Sequence, residues 1–312
     1  MKTTVIYHSG DFDGIFCREI AKKFLPDAEL IGWDFSDKPL RIPEGPIYIL
    51  DLPVDRVFGF DYKIVGNQRG PQHPSGLVWI DHHKSSIDSH PKDIPGYRID
   101  GVAACRLAWQ WFMMVDGNTN YGNVGNPIRA AGVLPMIQDF KNRDVNEPTA
   151  VRLAGEYDIW DKRDPDAEVF QFGLRSRELN EADWKKLLDP NPTVYSLVGD
   201  LLENGHLLQR YQQSTDASIV NHRSFLVELE GLKFLVLNTA RCNSLTFAAK
   251  DVLETGHDAL MGFYFNGKVW SVSLYHAKHR TDLDLSEIAV KYGGGGHRGA
   301  CGFTVDKLPF LK

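Results

Sequence analysis

One carboxylate and two imidazoles stand side by side at the end of an apolar run, in the segment "LVWIDHHKS" with Asp81, His82 and His83. Two earlier apolar runs also end in side chains of these types, namely His8, Asp11, Asp13 and Asp51. Carboxylates that share one site repel each other and raise each other's pKa unless a cation is present. Imidazoles added to oxygen ligands favour first-row divalent metals such as Mn²⁺ over Ca²⁺. The number of ligands exceeds the need of one ion, which indicates a two-metal site of the kind that acts in displacements at phosphorus.

Each of these residues, taken alone, also has a plainer interpretation. An Asp after a strand is commonly a turn residue, and a single His commonly fills a surface or core position. The three segments nevertheless occur in order along the chain, and each follows a run that is typical of a strand. Their joint occurrence favours a metal site over three unrelated turns.

The pattern around these segments predicts an α/β fold. Short strands such as "TTVIYH", "PIYILDL" and "LVWID" alternate with helices such as "GIFCREIAKKFL" and "AACRLAWQWFMM". This alternation predicts β-α-β units and a mainly parallel sheet flanked by helices. Ligands of such a sheet bind beyond the carboxyl ends of its strands, so we expect the scattered side chains to meet at one edge. The segment "IRAAGVLPMIQDF" predicts a further helix, interrupted or started near Pro135.

From about residue 193 the sequence pattern changes. The sequence predicts a catalytic domain over residues 1–192, a helical linker over 193–223 and a smaller α+β domain over 224–312. In the last of these, "KFLVLNT" is typical of a strand, "SLTFAAKDVLETG" of a helix, and "ALMGFYFNGKVWSVSLY" of a hairpin that turns at Asn266-Gly267.

Composition narrows the class of protein. The chain has 312 residues, a net charge of −6 and no apolar run long enough for a membrane span or a signal peptide. The negative charge argues against a scaffold for long nucleic acids. Four scattered cysteines indicate reduced thiols, so we expect a cytoplasmic protein without a membrane partner.

A run of glycines marks the end of the chain, in "YGGGGHRGACGF". Backbone N–H groups of glycines can approach a phosphate closely and form an anion-binding nest. His297 and Arg298 follow directly and can donate charge-assisted hydrogen bonds to the same anion. The alternative is a flexible turn between a helix and a strand.

At these motifs the chain resembles the DHH phosphoesterase superfamily, which includes RecJ-type exonucleases, nanoRNases, cyclic-dinucleotide phosphodiesterases and family II pyrophosphatases. "YHSGDFDG", "ILDLP" and "IDHHKS" are similar to its first three motifs, and "EYDIWDK", with "FQFGL" downstream, resembles the fourth motif of the oligoribonuclease-like (nanoRNase-like) branch. "YGGGGHRGACGF" is similar to the glycine-rich GGGH signature of the DHH-associated C-terminal domain, which the pyrophosphatase branch lacks.

The resemblance implies two Mn²⁺ ions, with Mg²⁺ or Co²⁺ as possible replacements. His8 and Asp11 would hold one ion, Asp13 and His82 the other, and Asp51 would bridge them. Asp158 would complete the cluster. Spacing alone leaves Asp158 and Asp161 as alternatives, and the resemblance favours Asp158, with Trp160 packed beneath the site.

The resemblance also implies roles outside the metal ligands. Asp81 would orient the neighbouring imidazoles, and His83 would face the scissile phosphate. The substrate would be held by the residues of the glycine signature, namely Gly294, Gly295, Gly296, His297 and Arg298. The strand before that loop ends in "SLYHAK", and His279 and Arg280 follow it directly. Either of these two side chains could instead make a phosphate or base contact. We expect His222 and His257 at the surface.

The function that these features favour is a Mn²⁺-dependent phosphodiesterase that hydrolyses short oligonucleotides to mononucleotides. The alternatives on the same scaffold are a cyclic (di)nucleotide phosphodiesterase, a 3′-phosphoadenosine 5′-phosphate phosphatase, or a catalytically silent nucleotide-binding module. The expected partner is a short oligonucleotide or small nucleotide, and a homodimer is possible. Base preference and polarity of attack stay open.

Overall fold

The structure, a computed structural model, describes residues 1–59, 74, 76–116, 134–191, 197–240, 242–251 and 256–311. It divides into two compact units, Met1–His206 and Leu207–Lys312. The division falls inside the segment for which the sequence predicts a helical linker. None of the described helices is long and apolar enough to cross a membrane.

A four-stranded parallel sheet forms the centre of the first unit. Its strands stand in the order β2-β1-β3-β4, and all three pairings are parallel. They are β1 (Thr4–His8), β2 (Glu29–Trp33), β3 (Ile47–Leu50) and β4 (Leu77–Ile80). The runs of β1, β3 and β4 are apolar without strict alternation because helices cover both faces of the sheet. The predicted α/β class with a mainly parallel sheet is confirmed.

Eight helices accompany this sheet among the described residues of the first unit. They are α1 (Phe12–Phe24), α2 (Val54–Phe58), α3 (Lys84–Ser89), α4 (Ala104–Asp116), α5 (Ile137–Asn142), α6 (Thr149–Asp158), α7 (Asp166–Leu174) and α8 (Glu181–Leu187). Helix α4 buries Trp109 and Phe112 in the main apolar core, as its pattern predicts. The helix that the sequence predicts near Pro135 begins at Ile137, and residues 128–133 of that segment lie outside the described residues.

The order of the strands creates a crevice at one edge of the sheet. Strand β1 has β2 on one side and β3 on the other, so the chain reverses its direction of winding between β1 and β3. Such a switch point separates the connections that leave neighbouring strands and opens a space at their carboxyl ends. His8 is the last residue of β1 and Asp51 directly follows β3, so both lie at this point.

One long helix, α9 (Leu197–Arg223), carries the chain from the first unit into the second. Leu201 belongs to the apolar core of the first unit, and Val220 belongs to an apolar cluster of the second. The helix covers most of the predicted linker, and residues 193–196 lie outside the described residues.

The second unit contains a six-stranded mixed sheet in the order β5-β6-β7-β8-β10-β9, in which only β6 and β7 pair in parallel. Its elements are β5 (Phe225–Leu229), β6 (Leu232–Asn238), a 3₁₀ turn (Ser244–Phe247), β7 (Ala259–Phe265), β8 (Trp270–His276), α10 (Ser286–Lys291), β9 (Gly295–His297) and β10 (Ala300–Val305). The predicted hairpin is present as β7 and β8. Of the helix predicted over 244–256, the described residues form only the 3₁₀ turn. Residues 252–255 lie outside the described residues.

Gly14 shows how tightly the first strand and the first helix meet. A Cβ atom built on Gly14 would lie 1.9 Å from the carbonyl oxygen of His8, which is a backbone atom and cannot turn aside. The glycine of "DFDG" is therefore required by the close approach of α1 to the end of β1. The same approach holds the ligand-type residues on both sides of that turn in place.

We expect Gly14→Ala to lower the free energy of unfolding by about 1–3 kcal/mol, because the added methyl group forces the backbone apart. This loss runs against the higher helix propensity of Ala. Gly295→Ala is the matched control, since its Cβ would meet nothing within 4 Å. Urea unfolding of both variants tests the expectation, and equal stability of the two would contradict it.

Candidate metal centre

His8, Asp11 and Asp51 form one group of ligand-type side chains at the switch point. The Nδ1 atom of His8 lies 3.1 Å from Oδ2 of Asp11 and 3.4 Å from Oδ2 of Asp51. The other oxygen of Asp11 accepts a hydrogen bond from the N–H of Gly14 at 3.0 Å and so caps helix α1. One oxygen of Asp11 is thus fixed by the helix, and the other faces the group.

Asp13, His82 and Asp158 form a second group. The Nε2 atom of His82 lies 3.3 Å from Oδ2 of Asp158 and 3.6 Å from Oδ2 of Asp13. Asp13 is buried, and its two oxygens accept the N–H groups of Ala104 at 2.9 Å and Cys105 at 2.7 Å. These amides belong to the first turn of α4, where the positive end of the helix dipole favours a negative charge.

Asp51 belongs to both sides of the cluster. Its Oδ2 atom faces His8 at 3.4 Å, while its Oδ1 atom faces His82 Nε2, also at 3.4 Å. The side chain is 2% exposed. Among the described residues, Oδ1 of Asp51 and Nδ1 of His8 are buried without a hydrogen-bond partner. Atoms of this kind are expected where a cation is held between them, because buried polar atoms are otherwise paired.

The backbone of Asp51 is unusual as well. Its φ angle is 61°, in the left-handed region that residues other than glycine seldom adopt. Asp and Asn tolerate this region better than most residues, yet the conformation is still unfavourable. The N–H of Asp51 donates to the carbonyl of Ile80 at 2.9 Å, which holds the residue at the edge between β3 and β4.

Asp81 and His83 form a pair beside this cluster. Oδ1 of Asp81 lies 2.7 Å from Nδ1 of His83, and it also accepts the backbone N–H groups of His82 and His83. The carboxylate of Asp81 is fully buried, whereas the side chain of His83 is 35% exposed. Asp81 therefore fixes the orientation of the His83 ring with Nε2 on the side away from the carboxylate.

The charges of the cluster shift its pKa values in opposite directions. Burial alone would lower the pKa of His8, but the neighbouring carboxylates of Asp11 and Asp51 outweigh it and raise that pKa to about 10. His82 behaves in the same way, since the neighbouring carboxylates of Asp51 and Asp13 outweigh its burial and raise its pKa to about 10. Burial would raise the pKa of Asp51, yet the two imidazoles hold it at about 2.

Two carboxyl groups of the cluster, those of Asp158 and Asp13, have raised pKa values. Burial, followed by the charge of Asp51, raises the pKa of Asp158 to about 7. Burial and the charges of Asp51 and Asp158 raise the pKa of Asp13 well above its usual value. Without a cation the cluster therefore retains protons that a bound metal ion would displace.

The fourth motif supplies Asp158 and not Asp161 to the cluster. Asp158 is the last residue of α6, and its carboxylate faces His82. Asp161 instead binds the guanidinium of Arg163 at 2.5 Å. The expectation that Trp160 packs beneath the site is wrong, because this residue is 53% exposed. Its φ angle is 56°, in the left-handed region.

Asp34 is a neighbour of the cluster that the sequence reasoning missed. It directly follows β2, and its Oδ1 atom lies 3.8 Å from Nε2 of His8. The signal was present, because β2 also ends in an acidic residue at the same edge of the sheet. Asp34 can orient the ring of His8 from the side opposite to Asp11 and Asp51.

Part of the glycine signature forms regular secondary structure. The N–H of Gly294 donates to the carbonyl of Ala289 at 2.8 Å, so this amide closes α10 and is not open to a phosphate, contrary to expectation. Gly295 and Gly296 lie in β9, which is the edge strand of the sheet. Half of the amide groups of an edge strand face away from the sheet and stay available.

The two side chains that follow the glycines differ in their surroundings. His297 is exposed, whereas the guanidinium of Arg298 donates to the carbonyls of Asp282 at 2.5 Å and Leu283 at 3.4 Å. Two other candidates for a substrate contact are engaged within the unit: Arg280 pairs with Asp258 at 2.7 Å, and Nε2 of His279 donates to the carbonyl of His257.

Comparisons with known proteins give distant similarity. No protein-family model matches the chain. The uncharacterized protein R106 of Acanthamoeba polyphaga mimivirus is 27% identical over 168 residues, which make up 50% of this chain and 37% of the relative. The chain thus spans little more than a third of the length of that curated relative.

Three solved structures are similar to the chain at low sequence identity. The pGpG-specific phosphodiesterase PggH of Vibrio cholerae is 15% identical, with a TM-score of 0.47, over 98% of this chain and 94% of that one. RecJ of Thermus thermophilus, in complex with Mn²⁺, is 14% identical, with a TM-score of 0.45, over 98% and 49%. An uncharacterized Helicobacter pylori protein is 14% identical, with a TM-score of 0.34, over 100% and 95%. The resemblance to DHH phosphoesterases rests on the sequence motifs.

Binding of Mn²⁺ should release protons, because the metal needs the lone pairs that the protons occupy. At pH 8 both His8 and His82, with pKa values of about 10, carry a proton in the metal-free protein, so we expect about one proton released from each ring. Affinity should therefore rise as the pH increases towards 10.

Calorimetry at pH 8 in two buffers of different ionisation enthalpy measures this release. Asp161→Asn, which removes a carboxylate outside the cluster, should release as many protons as the wild type. A binding enthalpy that is the same in both buffers would show that the rings are already deprotonated.

His82 and His83 should differ when each is replaced by alanine. His82→Ala removes a group that faces three carboxylates, so both metal content and turnover should fall. His83→Ala should keep the metal and reduce turnover roughly a hundredfold or more, the usual contribution of a general acid. Metal analysis by mass spectrometry, together with turnover, separates the two roles, and the reverse pattern would exchange them.

Proposed function

We propose that the chain is a metal-dependent phosphodiesterase of the DHH type that hydrolyses short oligonucleotides to mononucleotides. One observation carries this proposal: the buried carboxylate of Asp51 lies between two groups of ligands and turns one oxygen to each. A carboxylate in this position is suited to bridge two cations. Structural single-ion sites have no need of such a shared residue.

The donor set fits two divalent cations of the manganese class. In this proposal His8 and Asp11 would hold one ion, Asp13, His82 and Asp158 would hold the other, and Asp51 would contribute to both. When bound, the ions supply positive charge that activates water and neutralises the oxygens of the scissile phosphate. Mn²⁺ suits this mixture of nitrogen and oxygen ligands, and Mg²⁺ or Co²⁺ can replace it.

His83 then acts on the leaving group. Its hydrogen bond to Asp81 raises its pKa above the ordinary value, which favours the protonated ring. Because Nδ1 is held by Asp81, the proton on Nε2 is the one that the ring can donate. Donation to the leaving oxygen makes the ring a general acid, and the partly exposed side chain leaves room for a substrate.

Asp81 and Asp34 are positioning residues in this proposal. Asp81 holds His83 through one oxygen and also fixes the backbone of the His82–His83 pair. Asp34 approaches the far nitrogen of His8. Partners of this kind keep metal-binding imidazoles in one orientation.

The choice of short oligonucleotides rests on the motifs "EYDIWDK" and "FQFGL", which resemble the nanoRNase-like branch, and on charge. The net charge of −6 also argues against broad electrostatic binding of long nucleic acids. A short substrate needs only a few contacts. The second unit can supply some of them through His297 and the outward amides of β9.

A substrate panel tests the proposal directly. Protein stripped by a chelator should be inactive and should recover with Mn²⁺, and product masses should show mononucleotides released from dimers and short RNA or DNA oligomers. The panel includes pGpG, longer strands, cyclic dinucleotides and 3′-phosphoadenosine 5′-phosphate. Highest turnover on one of the last two classes would replace the proposed substrate by that class.

Asp51→Asn is the matched variant for the metal mechanism. Asn keeps the shape and tolerates the left-handed backbone, but it removes the bridging charge. We expect turnover on every substrate to fall at least a thousandfold, while Asp161→Asn stays near the wild type. Full turnover of Asp51→Asn with Mn²⁺ would end the two-metal proposal.

His297→Ala should raise the KM for oligonucleotides roughly tenfold, because a charge-assisted contact to phosphate contributes about 1.5–3 kcal/mol. Bis-p-nitrophenyl phosphate is too small to use this contact, so its KM should change little. His222→Ala is the control, since that histidine is exposed on helix α9. Equal losses on both substrates would place His297 at the reacting phosphate instead.

A further inference from the structure

A second cluster of metal-binding side chains lies within the second unit and consists of Asp251, His257 and His279. The topology brings them together. His257 stands two residues before β7, and His279 stands three residues after β8. These strands are antiparallel, with Ala259 opposite His276, so both histidines lie at the same end of the hairpin.

Two members of this cluster are buried in contact with each other. Asp251 is 1% exposed and His257, which the sequence led us to expect at the surface, is 3% exposed. Nε2 of His257 lies 3.1 Å from Oδ1 of Asp251. The carboxylate of Asp251 also accepts the backbone N–H of Lys278 at 3.1 Å, which holds it in place.

His279 supplies the observation that a simple Asp–His pair does not explain. Its Nε2 atom lies 2.8 Å from the carbonyl oxygen of His257. A carbonyl can only accept, so Nε2 carries the hydrogen, and in the neutral ring Nδ1 carries the lone pair. Among the described residues, this Nδ1 atom is buried and has no hydrogen-bond partner. A ring held through one nitrogen by a carbonyl, with the other nitrogen unpartnered, is the usual state of a metal-binding histidine.

We propose that Asp251, His257 and His279 bind a zinc-type divalent cation. The ligand atoms of the three side chains all lie within 4.8 Å of one another. Two imidazoles and one carboxylate are a ligand set that suits Zn²⁺ and is poorly matched to Mg²⁺ or Ca²⁺. Both supporting hydrogen bonds that such a site needs, one to the carboxylate and one from an imidazole, are present.

A cavity lies beside one member of the cluster. His257 also lines a cavity of about 340 Å³, together with Lys250 and the residues at the start of β5. Three protein ligands leave a fourth position of a tetrahedral ion for water or a small ligand. The ion would tie the segment before β7 to the segment after β8, and it would do so independently of the cluster in the first unit.

The test is the number of zinc ions that the full-length protein binds. Chelator-treated wild type, His279→Ala, His279→Gln and the control His222→Ala are equilibrated with Zn²⁺, desalted and analysed by mass spectrometry. We expect both His279 variants to hold one zinc ion fewer than the wild type and His222→Ala. The difference should persist in the Asp51→Asn background, which separates it from the first cluster. Equal zinc content in all four proteins would overturn the proposal.

A measurement on the wild type keeps the test valid if the His279 variants fold poorly. Zn²⁺ added beyond two equivalents, so that the first cluster is already filled, should shift the ring nitrogen resonances of His257 and His279 in NMR spectra. Mg²⁺ at the same concentration should not shift them. Ring resonances of both histidines that stay unmoved by Zn²⁺ would overturn the proposal.

Discussion

Mutual repulsion among four carboxylates, two of them buried, is the constraint on which the first unit depends. Asp11, Asp13, Asp51 and Asp158 meet around two imidazoles, and two of these four carboxyl groups have their pKa raised because burial and neighbouring charge oppose ionisation. A fold arranged for stability alone would avoid this concentration of like charge. In the proposed function, cations would complete this cluster at the switch point of the sheet.

The surrounding structure compensates the repulsion without abolishing it. Helix α4 directs two amide groups at Asp13, and helix α1 is capped by Asp11, so two carboxylates lie at positive ends of helices. Gly14 lets α1 approach β1 closely enough for this arrangement. The fully buried carboxylate of Asp81 holds the backbone of His82 and His83 and the ring of His83 in place. Each of these supports is a backbone or packing feature, which makes the cluster rigid before any ligand arrives.

The sequence predicted the parallel sheet and the gathering of its strand-end residues because both follow from short-range patterns. Alternating strands and helices determine the sheet, and the carboxyl ends of parallel strands must share an edge. Asp34 could have been found by the same rule. The left-handed backbone of Asp51, the exposure of Trp160 and the burial of His257 could not, since each depends on contacts between segments that are distant in sequence.

The glycine signature is a second case in which the sequence did not show which groups the fold uses. A run of glycines indicates conformational freedom, but it does not say which amides the fold will use. Gly294 closes a helix, and Arg298 binds two carbonyls of its own unit, so the part left for a substrate is narrower than the motif suggests. The groups of the signature that stay available to a substrate are the side chain of His297 and the outward amides of the edge strand.

The left-handed conformation at position 51 also limits how this chain can change during evolution. Glutamate has the same charge as aspartate, but its longer side chain does not favour that backbone region, so the most conservative replacement by charge is a poor one by shape. Asn and Gly suit the backbone and remove the charge. A lineage that abandons the chemistry while keeping the fold would therefore be expected to drift to Asn or Gly at this position, and a lineage that retains the chemistry has one residue open to it.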